Sequence, residues 1–481
     1  MTSHAPDRLD SPPPPSGRQR STWAALRQLL LRLHFYAGIL VAPFIVVAAV
    51  TGLLYAYTPQ LEQALYSEQL HVAPGDGSVP LQEQVDAAVT AHPEGTLNAV
   101  RPATEPDEST RVLLDVEGLP ESYRLAVFVD PHTGELLGDM TSYGSSGSLP
   151  ARSWLSELHR HLHMGDVGRV YSELAASWLW VVGLGGAVLW IGRRRRNRRL
   201  RRTLLPENSA TGRNRTLSWH GSIGLWALVG LLLLSATGLT WSQFGGANIG
   251  ELRTAFGWTT PTLSVSASTG HEGHGGQDDD GGGEHAGHGA ADRVDLDRVL
   301  ESVRAAGLEG PVEIAVPAEE GAPFTVEGTS RTWPVNQDVI AVDAASGEVV
   351  ETLRFDEFPL MAKLSSWGIA FHMGLLFGLP NQLFLTLVGL SALVLVSWGY
   401  RMWWLRRPTR EDGFSMGRPL APRGTWRGLP WWCLAAVVAV AVGVGLFLPV
   451  FGVSLLAFLL ADAAVGAWRG RARTRTEAGP V

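Results

Sequence analysis

Cysteine, lysine and charge are all scarce in this chain. Of 481 residues only Cys433 is a cysteine, and it lies inside an apolar run, which excludes disulfides, thiolate zinc sites, iron–sulfur clusters and covalent c-type haem. Charged residues make up 18% of the chain against 45% hydrophobic, too few at this length for one soluble globular domain. Lys363 is the single lysine among 39 basic residues, and the arginines cluster between long apolar stretches, the pattern of a membrane protein. The first 20 residues are polar and Pro-rich and lack the n-region and cleavage site of a secretory signal peptide, so the first span is expected to serve as an uncleaved anchor.

Uncharged runs cover 35–57, 174–192, 222–241 and 381–400, each about one bilayer thick at roughly 20 residues per span. A fifth run, 428–461, continues past Asp462 to Trp468 and is too long for one helix; Pro449 near its middle divides it into a hairpin of two. The expected protein is a polytopic α-helical membrane protein with about six spans, 33–57, 174–192, 219–241, 381–400, 431–448 and 450–468. With the N-terminus in the cytoplasm, the tail 1–32, the loops 193–218 and 401–430 and the tail 469–481 hold 26 basic residues against six acidic, while the outer segments hold 13 basic against 39 acidic. That asymmetry places both termini inside a bacterial plasma membrane. It also explains the run Arg193 to Arg202 as a topology signal after a span, so nucleic acid is not an expected partner and lipid is.

The two halves of the chain repeat. His34, Gly38, Thr51, Gly52 and Leu53 recur with the same spacing as His220, Gly224, Thr237, Gly238 and Leu239, and His163-Met164-Gly165 recurs as His372-Met373-Gly374. Between them lie outer segments 58–173 and 242–380. Val129-Asp130-Pro131-His132-Thr133-Gly134-Glu135 in the first reappears as Val342-Asp343-Ala344-Ala345-Ser346-Gly347-Glu348 in the second, a hairpin turn in which the Asp closes onto its own backbone rather than doing chemistry. Helical stretches at Leu81 to Ala91 and Leu296 to Val303 precede short alternating segments such as Arg111 to Val116 and Pro323 to Glu327, so each outer segment is expected to be a small α+β domain.

Two such domains with the V-D-x-x-[ST]-G-E turn, each set between spans that carry His at their ends, resemble the PepSY-associated transmembrane proteins, a bacterial family linked to iron uptake. The resemblance covers about residues 25 to 405. It implies two extracytoplasmic PepSY-like domains and, because members include haem-containing reductases that release iron from siderophores, it implies electron transfer. Some relatives carry a cytoplasmic flavin domain, for which this chain has no segment of sufficient length.

Six histidines lie at span ends: His34, His220, His159, His161, His163 and His372. A neutral imidazole oriented by a second group is a good axial ligand for haem iron. His34 with His220 would form an inner haem b site and His163 with His372 an outer one, with His159, one turn from His163, as its substitute. Since a straight helix from His372 to Arg401 would be about 44 Å, longer than the ~30 Å hydrocarbon core, the chain must break at Gly378-Leu379-Pro380-Asn381 and leave 364–377 as an interfacial helix. The competing reading is that these histidines only anchor helices at the interface. The leading function is a conduit, possessing ferric or siderophore reductase activity, from a quinol or cytoplasmic reductant to a ferric siderophore or other ferric or cupric complex. Its alternatives are a non-enzymatic module that binds a metal complex or regulates a peptidase, and a metal permease, which the lack of charged ligands at span centres weakens. Asp462 near the end of the last span is expected to snorkel to the inner interface, and Gly183-Leu184-Gly185-Gly186 to serve helix packing rather than phosphate binding.

The insertion 270–289 has no counterpart in the first half. Its His271, His274, His285 and His288 form two H-x-x-H pairs suited to loose binding of Zn(II), Cu(II) or Ni(II), against the plain reading of a solvated linker. Because a long Gly-rich loop adds little closure cost, deleting residues 270–289 is expected to leave expression and haem content unchanged and to alter the response to added zinc or copper. Loss of folded protein on deletion would make the segment structural instead.

Overall fold

The computed structural model describes residues 22–75, 77–194, 200–207, 209–264, 295–319, 321–406 and 424–477. Its α-helices are α1 (Thr22–Leu40), α2 (Ala42–Tyr55), α3 (Thr58–Leu65), α4 (Ser67–Leu70), α5 (Leu81–Ala91), α6 (Pro150–His161), α7 (Gly165–Arg194), α8 (Leu200–Leu204), α9 (Gly212–Thr240), α10 (Phe244–Ala255), α11 (Leu296–Ala305), α12 (Leu360–His372), α13 (Leu379–Trp404), α14 (Trp431–Phe447) and α15 (Pro449–Glu477). The strands are β1 (Gly95–Arg101), β2 (Thr110–Val116), β3 (Tyr123–Val129), β4 (Leu136–Tyr143), β5 (Val312–Ala315), β6 (Phe324–Gly328), β7 (Val339–Val342) and β8 (Val349–Leu353).

The apolar runs form the helices long enough to cross a membrane: α7, α9, α13 and Pro449–Trp468 of α15, with α1 and α2 qualifying together as one bent span. The helix α14 is as apolar but shorter, at 17 residues. Large side chains such as Trp226, Val229, Leu387, Val440 and Val453 stay exposed on these helices, the surface a lipid-embedded protein presents. The chain is an integral membrane protein.

The first span is bent by 56° where α1 meets α2. Pro43, in the first turn of α2, has no N–H to donate to the carbonyl of Ile39, and its ring crowds that oxygen. The hydroxyl of Tyr400 donates to the orphaned carbonyl instead, at 2.8 Å. In the second half the corresponding residue is Val229, and α9 runs unbroken.

Close approach of the helices depends on glycine. A Cβ on Gly221 would come within 2.3 Å of the Trp190 ring, on Gly230 within 2.5 Å of Val388, and on Gly389 within 2.9 Å of Leu53. The α14–α15 hairpin turns at Leu448 and leans on α7, where Trp178 Nε1 donates to Ser454 Oγ at 2.8 Å and its ring packs, tilted, against Phe451. Asp462, expected to snorkel, pairs with Arg32 of α1, largely buried by protein. In that setting an ion pair satisfies both charges. Glu173 in α7 is also buried, and its carboxylate accepts from the backbone N–H groups of Phe244 and Gly245, both at 3.0 Å, which caps the N-terminus of α10.

The two outer domains expected from the repeat are not separate. Their strands join in one eight-stranded antiparallel sheet, β4-β3-β2-β1-β5-β6-β7-β8, through pairing of Ala99 with Ala315 and Val100 with Ile314. Each half alone would leave β1 or β5 as an open apolar edge, and pairing the two edges removes both. The helices α5 and α11 lie on one face over a single core that includes Val85, Val100, Val112, Val299, Ile314 and Ile340. They also cap one another, since Asp297 accepts from Leu81 N and Gln82 N at 2.7 and 3.0 Å and Gln82 Oε1 accepts from Leu296 N at 3.3 Å. The repeated turns match in detail: Asp130 Oδ1 takes the N–H groups of His132 and Thr133, at 2.8 and 3.3 Å, and Asp343 Oδ1 those of Ala345 and Ser346, at 3.1 and 2.8 Å.

Because Asp297 caps a helix of the other half, Asp297→Ala is expected to cost about 1 kcal/mol and to lower hydrogen-exchange protection in α5 and α11 together. A response confined to α11 would mean that the halves open independently.

Candidate functional site

The repeated Thr-Gly pair is what builds the site. Thr51 Oγ1 donates to the carbonyl of Val47 at 2.8 Å, so toward His159 it accepts, and Nδ1–H of His159 donates to it at 2.9 Å. Gly52 leaves the room: a Cβ there would stand 3.1 Å from Cε1 of that ring. The second half repeats the arrangement. Thr237 Oγ1 donates to Leu233 O at 2.8 Å and accepts from His372 Nδ1 at 2.6 Å. With the proton on Nδ1, Nε2 of each ring carries a lone pair, and neither Nε2 has a hydrogen-bond partner among the described residues.

His159 and His372 face one another with ring centres 6.3 Å apart at the end of the bundle beside the sheet. At the far end His34 and His220 stand 6.4 Å apart. His34 Nδ1 donates to the carbonyl of Val182 at 3.0 Å, which fixes the same tautomer, and a Cβ on Gly186 would come within 2.9 Å of its Cε1. His220 is buried too, with the Leu395 backbone as its hydrogen-bonding neighbour. A metal–imidazole bond of about 2 Å, with the ring centre about 1 Å beyond the nitrogen, places two rings on one metal ion about 6 Å apart. Both pairs have that spacing. Among the described residues no group of three His, Cys, Asp or Glu side chains is arranged for a metal ion. An ion held by either pair must therefore take its other ligands elsewhere, as haem iron takes four from its porphyrin. The donor sets fit bis-histidine haem.

The structure brings His159, the expected substitute, beside His372 and sets His163, the expected partner, apart. The helix α6 stops at His161, and Leu162 and His163 both adopt left-handed backbone, φ 54° and 53°. That turn sends the His163 ring onto Glu157, 3.1 Å away, and against Trp154, while His159 one turn earlier points into the bundle. A signal for this register is present in the sequence: Ser153-Trp154 and Ser366-Trp367 precede His159 and His372 by the same interval, whereas the His-Met-Gly triplets do not share it. The expected interfacial helix 364–377 is likewise shifted to Leu360–His372, because Gly374 and Gly378 with positive φ turn the chain before Pro380 starts α13. His161 lies beside His163, with ring centres 6.2 Å apart, and joins neither pair. His271, His274, His285 and His288 lie outside the described residues.

Between the sheet and the His159–His372 pair lies a layer of charge that sequence patterning did not reveal. It occupies the sheet face opposite α5 and α11, where alternation places Arg101, Arg111, Arg124, Glu313 and Glu327. Glu313 accepts from Arg101 Nε at 2.6 Å and Arg124 Nη1 at 3.2 Å; burial opposes its ionisation, but the two guanidiniums hold its carboxyl below the usual range. Arg152 of α6 reaches Glu62 at 3.6 Å, and burial raises the Glu62 carboxyl despite that partner. Arg331 donates to Met373 Sδ, at 3.9 Å, next to His372, its one hydrogen bond among the described residues. Glu327 keeps part of its surface open to the space between sheet and bundle; the desolvation it does suffer, reinforced by Glu313, pushes its carboxyl up to about 6.

Residues 31–406 match the family model described as the PepSY-associated TM region. No curated protein matches the chain.

The raised Glu327 sets a pH dependence. Its folded-state value of about 6, against 4.5 for the free group, means that the native state holds the proton more tightly, so ionisation destabilises the fold. The penalty is complete above about pH 6 and vanishes below 4.5. Glu327→Gln is therefore expected to raise Tm at pH 8 and to leave it unchanged at pH 4.5. A gain of equal size at both values would attribute the effect to packing.

Proposed function

The chain belongs to the PepSY-associated TM family, and on that premise we propose that it is a haem b transmembrane electron conduit that reduces an extracytoplasmic ferric siderophore, or another ferric or cupric complex, in metal uptake. One observation carries the reading: two histidine pairs at opposite ends of the bundle, each at the spacing of two ligands on one metal ion. In this proposal six spans form two repeated halves and a C-terminal hairpin in a bacterial plasma membrane. Both termini are cytoplasmic, as the arginine distribution supports, and the sheet is outside.

Haem held at the two pairs would supply the one-electron chemistry, and the chain supplies ligation, spacing and insulation. His34 and His220 serve the end that receives electrons from a quinol or a cytoplasmic reductant. His159 and His372 serve the end facing the acceptor. Along straight α9 the interval from His220 to Thr237, which anchors His372, is about 25 Å at ~1.5 Å per residue, most of a ~30 Å hydrocarbon core. Thr51, Thr237 and the Val182 carbonyl hold Nδ1 of their rings, which leaves Nε2 as the ligating atom and raises its basicity.

Optical spectra of the purified protein, oxidised and reduced, test the proposal. Low-spin b-type bands are expected. His159→Ala and His372→Ala each are expected to remove about half of the haem or convert it to high spin, and to abolish reduction of an external ferric chelate. His34→Ala and His220→Ala are expected to do the same at the other site, and His163→Ala to change neither. Thr51→Val and Thr237→Val are expected to weaken haem retention about 10–100-fold, as loss of a hydrogen bond behind a metal ligand does. Wild-type spectra and reductase rates in all four alanine variants would instead make these histidines interfacial anchors.

A further inference from the structure

We propose that the space between the sheet and the His159–His372 pair is a carboxylate-binding site whose free cations are Arg111 and Arg331. Five guanidiniums meet three carboxylates there. Arg101 and Arg124 are matched to Glu313, and Arg152 to Glu62. Arg111 and Arg331 make no ion pair among the described residues. Arg331 has Glu327 as an electrostatic neighbour but no bond to it, and its one polar contact is the Met373 thioether. Arg111 lies over the Phe128 ring, 5.5 Å from its centre, with Glu62 and Glu108 as more distant carboxylates.

Two partly buried guanidiniums with no carboxylate bonded to them carry a desolvation cost, and a fold that keeps them leaves the pairing to a ligand. A guanidinium presents paired N–H donors matched to the two oxygens of a carboxylate. The location fits as well. Met373, which Arg331 touches, adjoins His372; Arg152 lies two turns before His159 in α6; and Tyr55, to which Arg152 also bonds, lies one turn after Thr51. The site therefore lies at the end of the bundle that carries this histidine pair. Two sources of carboxylate meet these requirements: the propionates of a haem held by His159 and His372, and the ligand shell of an incoming ferric polycarboxylate. Which source applies rests on the conduit reading; that a carboxylate binds does not.

The test uses the full-length protein in nanodiscs. Citrate and ferric citrate are titrated calorimetrically, and haem content and spectrum are recorded on the same preparations. Citrate binding is expected in the wild type, weakened about 30-fold by Arg331→Gln and by Arg111→Gln. Glu327→Gln, which removes a competing negative charge, is expected to tighten it, a gain that misfolding cannot imitate. If citrate does not bind but both arginine variants lose haem or shift the spectrum of the site beside the sheet, the carboxylate is the haem's own. Arginine-dependent citrate binding by a haem-free protein would keep this site and sink the conduit. Citrate affinity, haem content and spectrum all unchanged by Arg331→Gln and Arg111→Gln would overturn the proposal.

Discussion

The arrangement turns on one repeated hydrogen bond, from a histidine Nδ1 to a threonine Oγ1 that is already committed as a donor to its own helix. It joins a short helix outside the span to the span itself, α6 to α2 and α12 to α9. It also sets the tautomer, because an oxygen whose proton is spent can only accept. Rotation of either ring would leave a buried N–H unsatisfied, at a cost of about 1–3 kcal/mol. The spacing of the rings across the bundle therefore follows from helix packing and from the glycine beside each threonine, before any ligand is considered.

Much of this was legible as repetition. His34, Thr51 and Gly52 and their counterparts marked two equivalent helices, and the V-D-x-x-[ST]-G-E turns marked two equivalent hairpins, because these residues act locally, through a helix face or a turn. The partner of His372 was obscured by the His-Met-Gly triplet, which is a stronger textual match than Ser-Trp. One half spends an extra turn of chain, with two residues in left-handed backbone, before its glycine. The bend at Pro43 was written in the sequence as a proline within an apolar run. Its tolerance was not, since that depends on a hydroxyl from Tyr400, some 360 residues away.

Fusion of the two sheets and the charge layer beneath them were illegible for a shared reason. Alternation along a strand tells which residues share a face, and not what that face meets. Arg101, Arg124, Glu313 and Glu327 look like solvated positions of half-buried strands. They become an internal network only because β1 meets β5 and the bundle closes over the sheet. Three of these charges satisfy one another through Glu313, which lets a wide polar surface lie against a membrane-embedded bundle without a matching apolar face.

The Arg32–Asp462 pair constrains the order of assembly. Its members are separated by 430 positions, so at ribosomal rates of about 5–20 residues per second the arginine emerges roughly 20–90 s before its counter-charge. During that interval α1 carries an uncompensated cation half a turn from His34, and a helix in that condition favours a shallow position nearer the water boundary. Arrival of α15 neutralises it and lets α1 settle against α7. The C-terminal hairpin, which lies beyond the region matching the family, thus supplies the counter-charge of the first helix, and the ion pair two residues from His34 is completed only once the last helix has been made.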